Sequence, residues 1–533
     1  KFIEEYDYNY KAVANSSKSL SDLAVVRIHN KDEKWAKRLI DNWMNNGQAL
    51  GQYKLTALLE ALGFLDAQVK EQAKLGRIEN YMVTIPAVVG RKANYKHPIA
   101  AFGSKAQTEG FRVACLFGKY DADRLIEELK NMGNSKNTLV LLDYALSLPD
   151  RRLFAKKIKA SFSDKIFAVI DRVLLMFLVN NYSVQFINQI LMSVMMPFSY
   201  CQPYVWDSSK VMPPEIFIGR QEELEKIESP SGVNIVYGGR QLGKSALLKK
   251  AKMDIDFDEN NNRAVYIEIK GMDYERAAKK ICCELYDAGV LKEEIDTTDW
   301  DVLARAIKKR LLDDKEERIP YLLLLLDEAD TFIESCTEVN FKPFDALKEI
   351  QNIGMDRFKF VIAGLHNIVR FKRDAALSNN SVITHLSSIT IRPFHTKDAR
   401  QLLEEPLYCL GFRFPKERQA LISLILASTN YFPGLIQLYC ANLIEAMKKD
   451  DYAGYDEGNT PAYEVTQKHI KKVLSDSSFM NQIREKFEIT LKLDEDNMYY
   501  IIALLMAYLY HQNANSAADS EGFSAEDIKE AAI

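Results

Sequence analysis

Residues 233–245 read Val-Asn-Ile-Val-Tyr-Gly-Gly-Arg-Gln-Leu-Gly-Lys-Ser, an apolar run that ends in a glycine-rich turn. A helical pattern follows over Ser245–Met253. Val233–Tyr237 has the character of a buried strand, and 238–245 fits G-x-x-x-x-G-K-S/T in the strand-to-helix context that this spacing needs. Gly238 and Gly243 allow torsions that turn successive N–H groups towards a phosphate, and the opening helix adds its positive end. Lys244 is expected to reach the β- and γ-phosphates and the Ser245 hydroxyl to complete a Mg2+ shell. Gly239, Arg240, Gln241, Leu242 and Ala246 complete the expected contact set. The implied cofactors are ATP and Mg2+.

Working outward, residues 216–394 alternate strand and helix patterns. Strands are expected at Val233–Tyr237, Ala264–Ile269, Tyr321–Leu326, Phe358–Ala363 and Ile389–Ile391, with helices at Tyr274–Ala288, Asp301–Leu312 and Phe344–Ile353 between them. Five apolar strands joined through helices imply a parallel sheet covered on both faces. The run at 321–326 ends in Asp327 and Glu328, at the strand end where ligands bind in such sheets. Asp327 is expected to hold Mg2+ through water and Glu328 to orient or deprotonate an attacking water. Taken alone, the two carboxylates could equally cap a helix N-terminus. The spelling Asp-Glu-Ala-Asp at 327–330 matches a helicase box, but no second motor domain accompanies it, and the match reads as coincidence.

The whole chain has 533 residues, 47% hydrophobic and 27% charged, a folded composition with length for about three to five domains. Its formal charge of −4 creates no global field for nucleic acid or anionic lipid. The seven cysteines show no metal spacing and read as reduced thiols in a cytoplasmic protein. The apolar run 166–179 carries Asp171 and Arg172 and reads as a buried helix rather than a membrane span. The chain begins with Lys, and no signal peptide is visible.

Domains are expected at 1–80 (a helical module), 81–210 (a small α/β domain plus helices, without a phosphate loop), 211–395 (the nucleotide core), 396–450 (helical throughout) and 460–533.

The segment Ile-Phe-Ile-Gly-Arg-Gln-Glu-Glu-Leu at 216–224 resembles the hhGRxxE box that precedes the phosphate loop in STAND ATPases and in the related origin-recognition branch of AAA+ proteins. That resemblance implies that Gly219 and Arg220 line the adenine and ribose side. Residues 360–370, Phe-Val-Ile-Ala-Gly-Leu-His-Asn-Ile-Val-Arg, are similar to the sensor 1 strand and turn, which makes Asn367 or His366 the candidate for sensing the γ-phosphate or the water. Arg370 and Arg373 then become candidate arginine fingers, with a solvated basic face as the alternative. Residues 391–394 and 427–437 resemble the exit strand and helical lid, where Pro433 would pack near the adenine and Asn430 and Tyr431 stand in place of the family's glycines. No arginine occupies the lid turn, which favours the STAND side.

The fold implied is α/β: an ASCE/AAA+-like P-loop sheet with a helical lid, preceded by a mixed α/β region and followed by a partial winged-helix-like domain. In that last domain Ser524 and Asp527 have capping-box spacing. The chain ends soon after this point, so a longer natural protein is expected.

Three functions follow from the resemblance. The first is a STAND-type switch that couples ATP binding and hydrolysis to domain rearrangement or assembly, with a protein partner or a second copy, in bacterial stress or phage defence. The second is a DNA-binding ATPase of the origin-recognition type, and the third a scaffold that binds nucleotide without turnover. Residues 440–533 carry nine Lys/Arg against 17 Asp/Glu, a balance that argues against DNA binding there.

Overall fold

The computed structural model describes residues 6–532 apart from 17, 24–31, 44–49, 86–109, 133–136, 162–166, 197–202, 206–211, 213–215, 257–260, 313–318, 355, 366–385, 415–416, 449–462, 493–496 and 514–523. It divides into two units, Lys1–His469 and Ile470–Ile533. The first holds two five-stranded sheets.

The first sheet has strands β1 (Gln68–Leu75), β2 (Ile78–Thr84), β3 (Phe111–Leu116), β4 (Thr138–Leu142) and β5 (Phe167–Ile170), ordered as in sequence. β1, β2 and β3 pair antiparallel, then β3, β4 and β5 parallel. Two expectations are corrected here. The hairpin of β1 and β2 crosses the line drawn at residue 80, because β1 is a polar, mostly exposed edge strand whose sequence lacks the apolar alternation of a half-buried one. The run read as one buried helix divides at Asp171 into β5 and the helix Arg172–Asn180. Continuous apolar character is common to buried strands and buried helices, and the divider is a cap: the Asp171 side chain accepts from the backbone N–H of Leu174 at 3.0 Å. The same buried carboxylate accepts from the N–H of Leu146 at 2.8 Å and pairs with buried Arg151 at 2.5 Å. This divider is therefore fully satisfied.

The second sheet has β6 (Asn234–Tyr237), β7 (Arg263–Glu268), β8 (Leu322–Asp327), β9 (Phe358–Gly364) and β10 (Ser387–Thr390) in the order β10-β6-β9-β8-β7. Every pair is parallel. Side chains of β8 alternate between two cores. Leu322, Leu324 and Leu326 join Ile281, Leu303 and Leu347 on one face, while Leu323 and Leu325 join Leu247, Leu248 and Leu224 on the other. A strand with both faces covered needs no polar position, which is why it reads as an unbroken leucine run. Each of those leucines contributes on the order of 2 kcal/mol by burial.

Past β10 come helices Thr396–Cys409, Arg418–Ser428 and Pro433–Lys448. The region expected to be helical throughout contains one short strand, β11 (Phe412–Arg413), which pairs with β12 (Tyr463–Glu464). The segment between the two sheets is anchored on these helices: the Tyr204 hydroxyl donates to the carbonyl of Leu403 at 3.1 Å, and the N–H of Val205 to the side chain of buried Gln437 at 3.0 Å.

In the second unit the described residues form helices, including Ser477–Leu491, Met498–Asn513 and Ala525–Ala531, with the expected capping box at Ser524 and Asp527. No strand for a wing occurs among the described residues there. Among the described residues no helix is long and apolar enough to cross a membrane.

Candidate nucleotide-binding site

The glycine-rich turn leaves β6 and enters the helix Lys244–Asp256. Gly238 is required by its surroundings, since a Cβ there would lie 2.5 Å from the carbonyl oxygen of Ile391. Gly243 has φ +92°, and Gln241 also takes a left-handed torsion at φ +63°, so the loop holds a shape that ordinary residues adopt at a cost. Lys244 is buried, and its Nζ donates to the carbonyls of Gly238 at 2.7 Å and Gly239 at 3.0 Å. Burial pulls its pKa down, while the carboxylates of Asp327, Glu328 and Asp330 act in the opposite sense.

Asp327 closes β8 and is fully buried. Its Oδ1 accepts from the N–H of Glu328 at 2.9 Å and its Oδ2 from the hydroxyl of Tyr266, on neighbouring β7, at 2.8 Å. Glu328 has φ +54°. Burial raises its pKa and the charge of Asp327 adds to that, against Lys244 and Arg240. Asp330 accepts from the N–H of Leu365 through both carboxylate oxygens, at 2.9 and 3.1 Å, so it ties the end of β8 to the end of β9. Burial raises the Asp330 pKa as well.

The glycine-rich turn thus sits between a parallel sheet and the helices that follow β10. No family model matches the chain, and no curated protein sequence does. Among solved structures it is similar to a Walker-type ATPase of Pyrococcus abyssi, at 12% identity and TM-score 0.36, covering 59% of this chain and 88% of that one. It is also similar to the Aeropyrum pernix ORC2 protein in ADPNP and ADP complexes, at 15% identity and TM-score 0.41, covering 61% and 81%. A third is domain III of the Thermotoga maritima replication initiation protein DnaA, at 15% identity and TM-score 0.31, covering 51% and 96%.

The lid meets the loop directly. Helix Pro433–Lys448 begins with the N–H of Gly434 donating to the carbonyl of Gln241 at 3.0 Å, and the Pro433 Cγ lies 3.9 Å from where a Gly243 Cβ would be. Asn430 and Tyr431 have φ +47° and +57°. The turn thus keeps glycine-type torsions without glycines, and the N–H of Phe394 donates to its Tyr431 carbonyl at 2.9 Å.

Gly219 has φ +67°, and a Cβ there would lie 2.9 Å from Asp398 Oδ2. Arg220 braces this corner. Its guanidinium donates to the carbonyls of Leu242 (3.4 Å) and Arg392, pairs with Glu223 at 3.3 Å and sits 4.9 Å over the Phe394 ring. Arg240 faces Glu328 and Lys244 electrostatically, and Ala246 lies in the first turn of the loop helix. His366, Asn367, Arg370 and Arg373 lie outside the described residues.

The structure brings Lys244, Ser245, Asp327 and Glu328 together from two strand ends. Their donor set suits Mg2+: a hydroxyl and a carboxylate are hard oxygen ligands, and the carboxylate is held by the Tyr266 phenol. Sequence reasoning missed two residues. Tyr266 sits in the strand Ala-Val-Tyr-Ile-Glu, where an aromatic reads as ordinary strand material. Asp330 was set aside with the helicase spelling, and its bond to Leu365 depends on a strand 35 residues away.

Proposed function

We propose that this protein binds ATP with Mg2+ at residues 238–246 and hydrolyses it, with the lid helix transmitting the nucleotide state. The observation that carries this reading is the convergence of Lys244, Ser245, Asp327 and Glu328 at the C-terminal ends of β6 and β8. Lys244 would exchange its bonds to the loop carbonyls for the β- and γ-phosphate oxygens. Ser245 and Asp327 would hold Mg2+, which when bound neutralises charge on those oxygens. Glu328 would accept a proton from the attacking water at its carboxylate, and burial, which raises its pKa, strengthens it as a base. Asn367 or His366 remains the proposed sensor on the sequence resemblance. Gly219, Arg220 and Pro433 are proposed to bound the base and ribose side.

The Gly434–Gln241 contact favours a switch, because whatever moves the loop moves the start of the lid. STAND membership and a defence role rest on the sequence resemblance alone. The similar solved structures include the Aeropyrum pernix ORC1 protein in complex with DNA, so duplex DNA stands beside a protein partner or a second copy of the chain as a candidate partner. The test is Lys244→Ala. It is expected to abolish ATP binding by calorimetry, since it removes the main positive charge facing the phosphates; unchanged affinity would contradict the assignment.

A further inference from the structure

Tyr266 holds the buried aspartate assigned to the metal. It lies on β7, opposite Leu325 of β8 in the parallel register, two residues short of Asp327. Its hydroxyl donates to Asp327 Oδ2 at 2.8 Å. Its ring is held in turn by the loop helix, with the Lys249 Nζ 5.2 Å from the ring centroid. Asp327 is fully buried, and the N–H of Glu328 engages its other oxygen at 2.9 Å. The carboxylate is therefore clamped at both oxygens, one clamp being backbone and the other a single phenol.

We propose that Tyr266 is the positioning residue of the metal site, holding the Asp327 carboxylate in one orientation so that a divalent cation and its waters meet a preformed oxygen ligand. This rests on the nucleotide-binding reading above and goes beyond it, because a phosphate loop with an aspartate requires no tyrosine on the next strand. The physical need is specific to this chain. A buried carboxylate with one oxygen unpaired turns towards whatever donor it can reach, and the nearby cation of Lys244 offers an unproductive one. The phenol holds Asp327 away from that alternative. Groups that orient metal ligands in this way typically affect metal affinity or activity by about 10- to 100-fold.

The experiment uses the full chain and its Tyr266→Phe variant, which keeps the ring and deletes only the hydroxyl. ATP binding is measured by calorimetry in EDTA and across a Mg2+ titration, repeated with Mn2+. In EDTA the two proteins are expected to bind ATP alike. The Mg2+ concentration for the half-maximal gain in affinity should rise about tenfold in the variant, and Mn2+ should show the same shift. In an Asp327→Asn background, Tyr266→Phe should cause no further shift, because the tyrosine acts through that carboxylate; a full further shift would overturn the proposal. So would a Phe variant that titrates like the wild type. If the Phe variant does not fold, Tyr266→His retains a ring and a donor: metal coupling kept in His supports the proposal, and coupling lost overturns it. A wild-type chain that binds no ATP, or binds it without regard to Mg2+, would instead remove the nucleotide-binding reading itself.

Discussion

The backbone N–H of Gly434 donates to the carbonyl oxygen of Gln241 at 3.0 Å, so the helix Pro433–Lys448 begins on the glycine-rich loop. The approach is close enough that a Cβ on Gly434 would come within 2.3 Å of Gln241 Oε1 and 3.1 Å of the Gln241 carbonyl oxygen. The side-chain amide can swing away, whereas the carbonyl belongs to a loop whose torsions are already constrained.

Gly434→Val is therefore expected to lift the lid from the loop. Forcing atoms into a packed contact costs about 1–3 kcal/mol, and part of this should appear as ATP affinity weaker by about tenfold with the helical content of the protein unchanged. Calorimetry and circular dichroism together check this.

One turn along the same helix, the buried Gln437 side chain holds the N–H of Val205. Gln437→Leu leaves that N–H without its partner, at a cost of about 1–3 kcal/mol. The expected result is a lower denaturation midpoint and faster hydrogen exchange at Val205. ATP should slow exchange there in the wild type and not in the variant.

Much of the second sheet was legible in the sequence, and the reasons are local. β6 and β8 are buried strands of a parallel sheet, so their apolar runs stand out, and the loop at 238–245 carries its own glycines. The first sheet was harder to read. β1 shows no apolar alternation because it is an exposed edge, and β5 merges with the following helix because only Asp171 separates two apolar stretches. Tyr266 and Asp330 were invisible for another reason: each acts through a partner, Asp327 at the end of β8 or Leu365 just past the end of β9, that only the folded sheet brings near. The Ser524 capping box was readable because both its partners lie within one turn.

At the opposite end of the sheet, Lys359 is fully buried, and its ammonium donates to the carbonyls of Lys226 at 2.6 Å, Ser229 at 2.7 Å and Ser231 at 3.5 Å. Burial pushes its pKa down to about 8 from 10.5. The unfolded chain then binds more protons than the folded one between those values, so stability is expected to rise with pH from about 8 to 10.5, by no more than about 3 kcal/mol. Chemical denaturation across that range checks this against Lys359→Met, which should lack the rise.

The most direct measurement of the central claim is phosphate release from Mg2+·ATP by the wild type and by Glu328→Gln, with nucleotide binding measured on the same samples and duplex DNA present or absent. The amide keeps the shape of Glu328 and loses its basicity. The account predicts release by the wild type, binding by both, and turnover lower in the variant by about 10²- to 10⁴-fold. Equal release by the two proteins, or a wild type that binds no nucleotide, would contradict it.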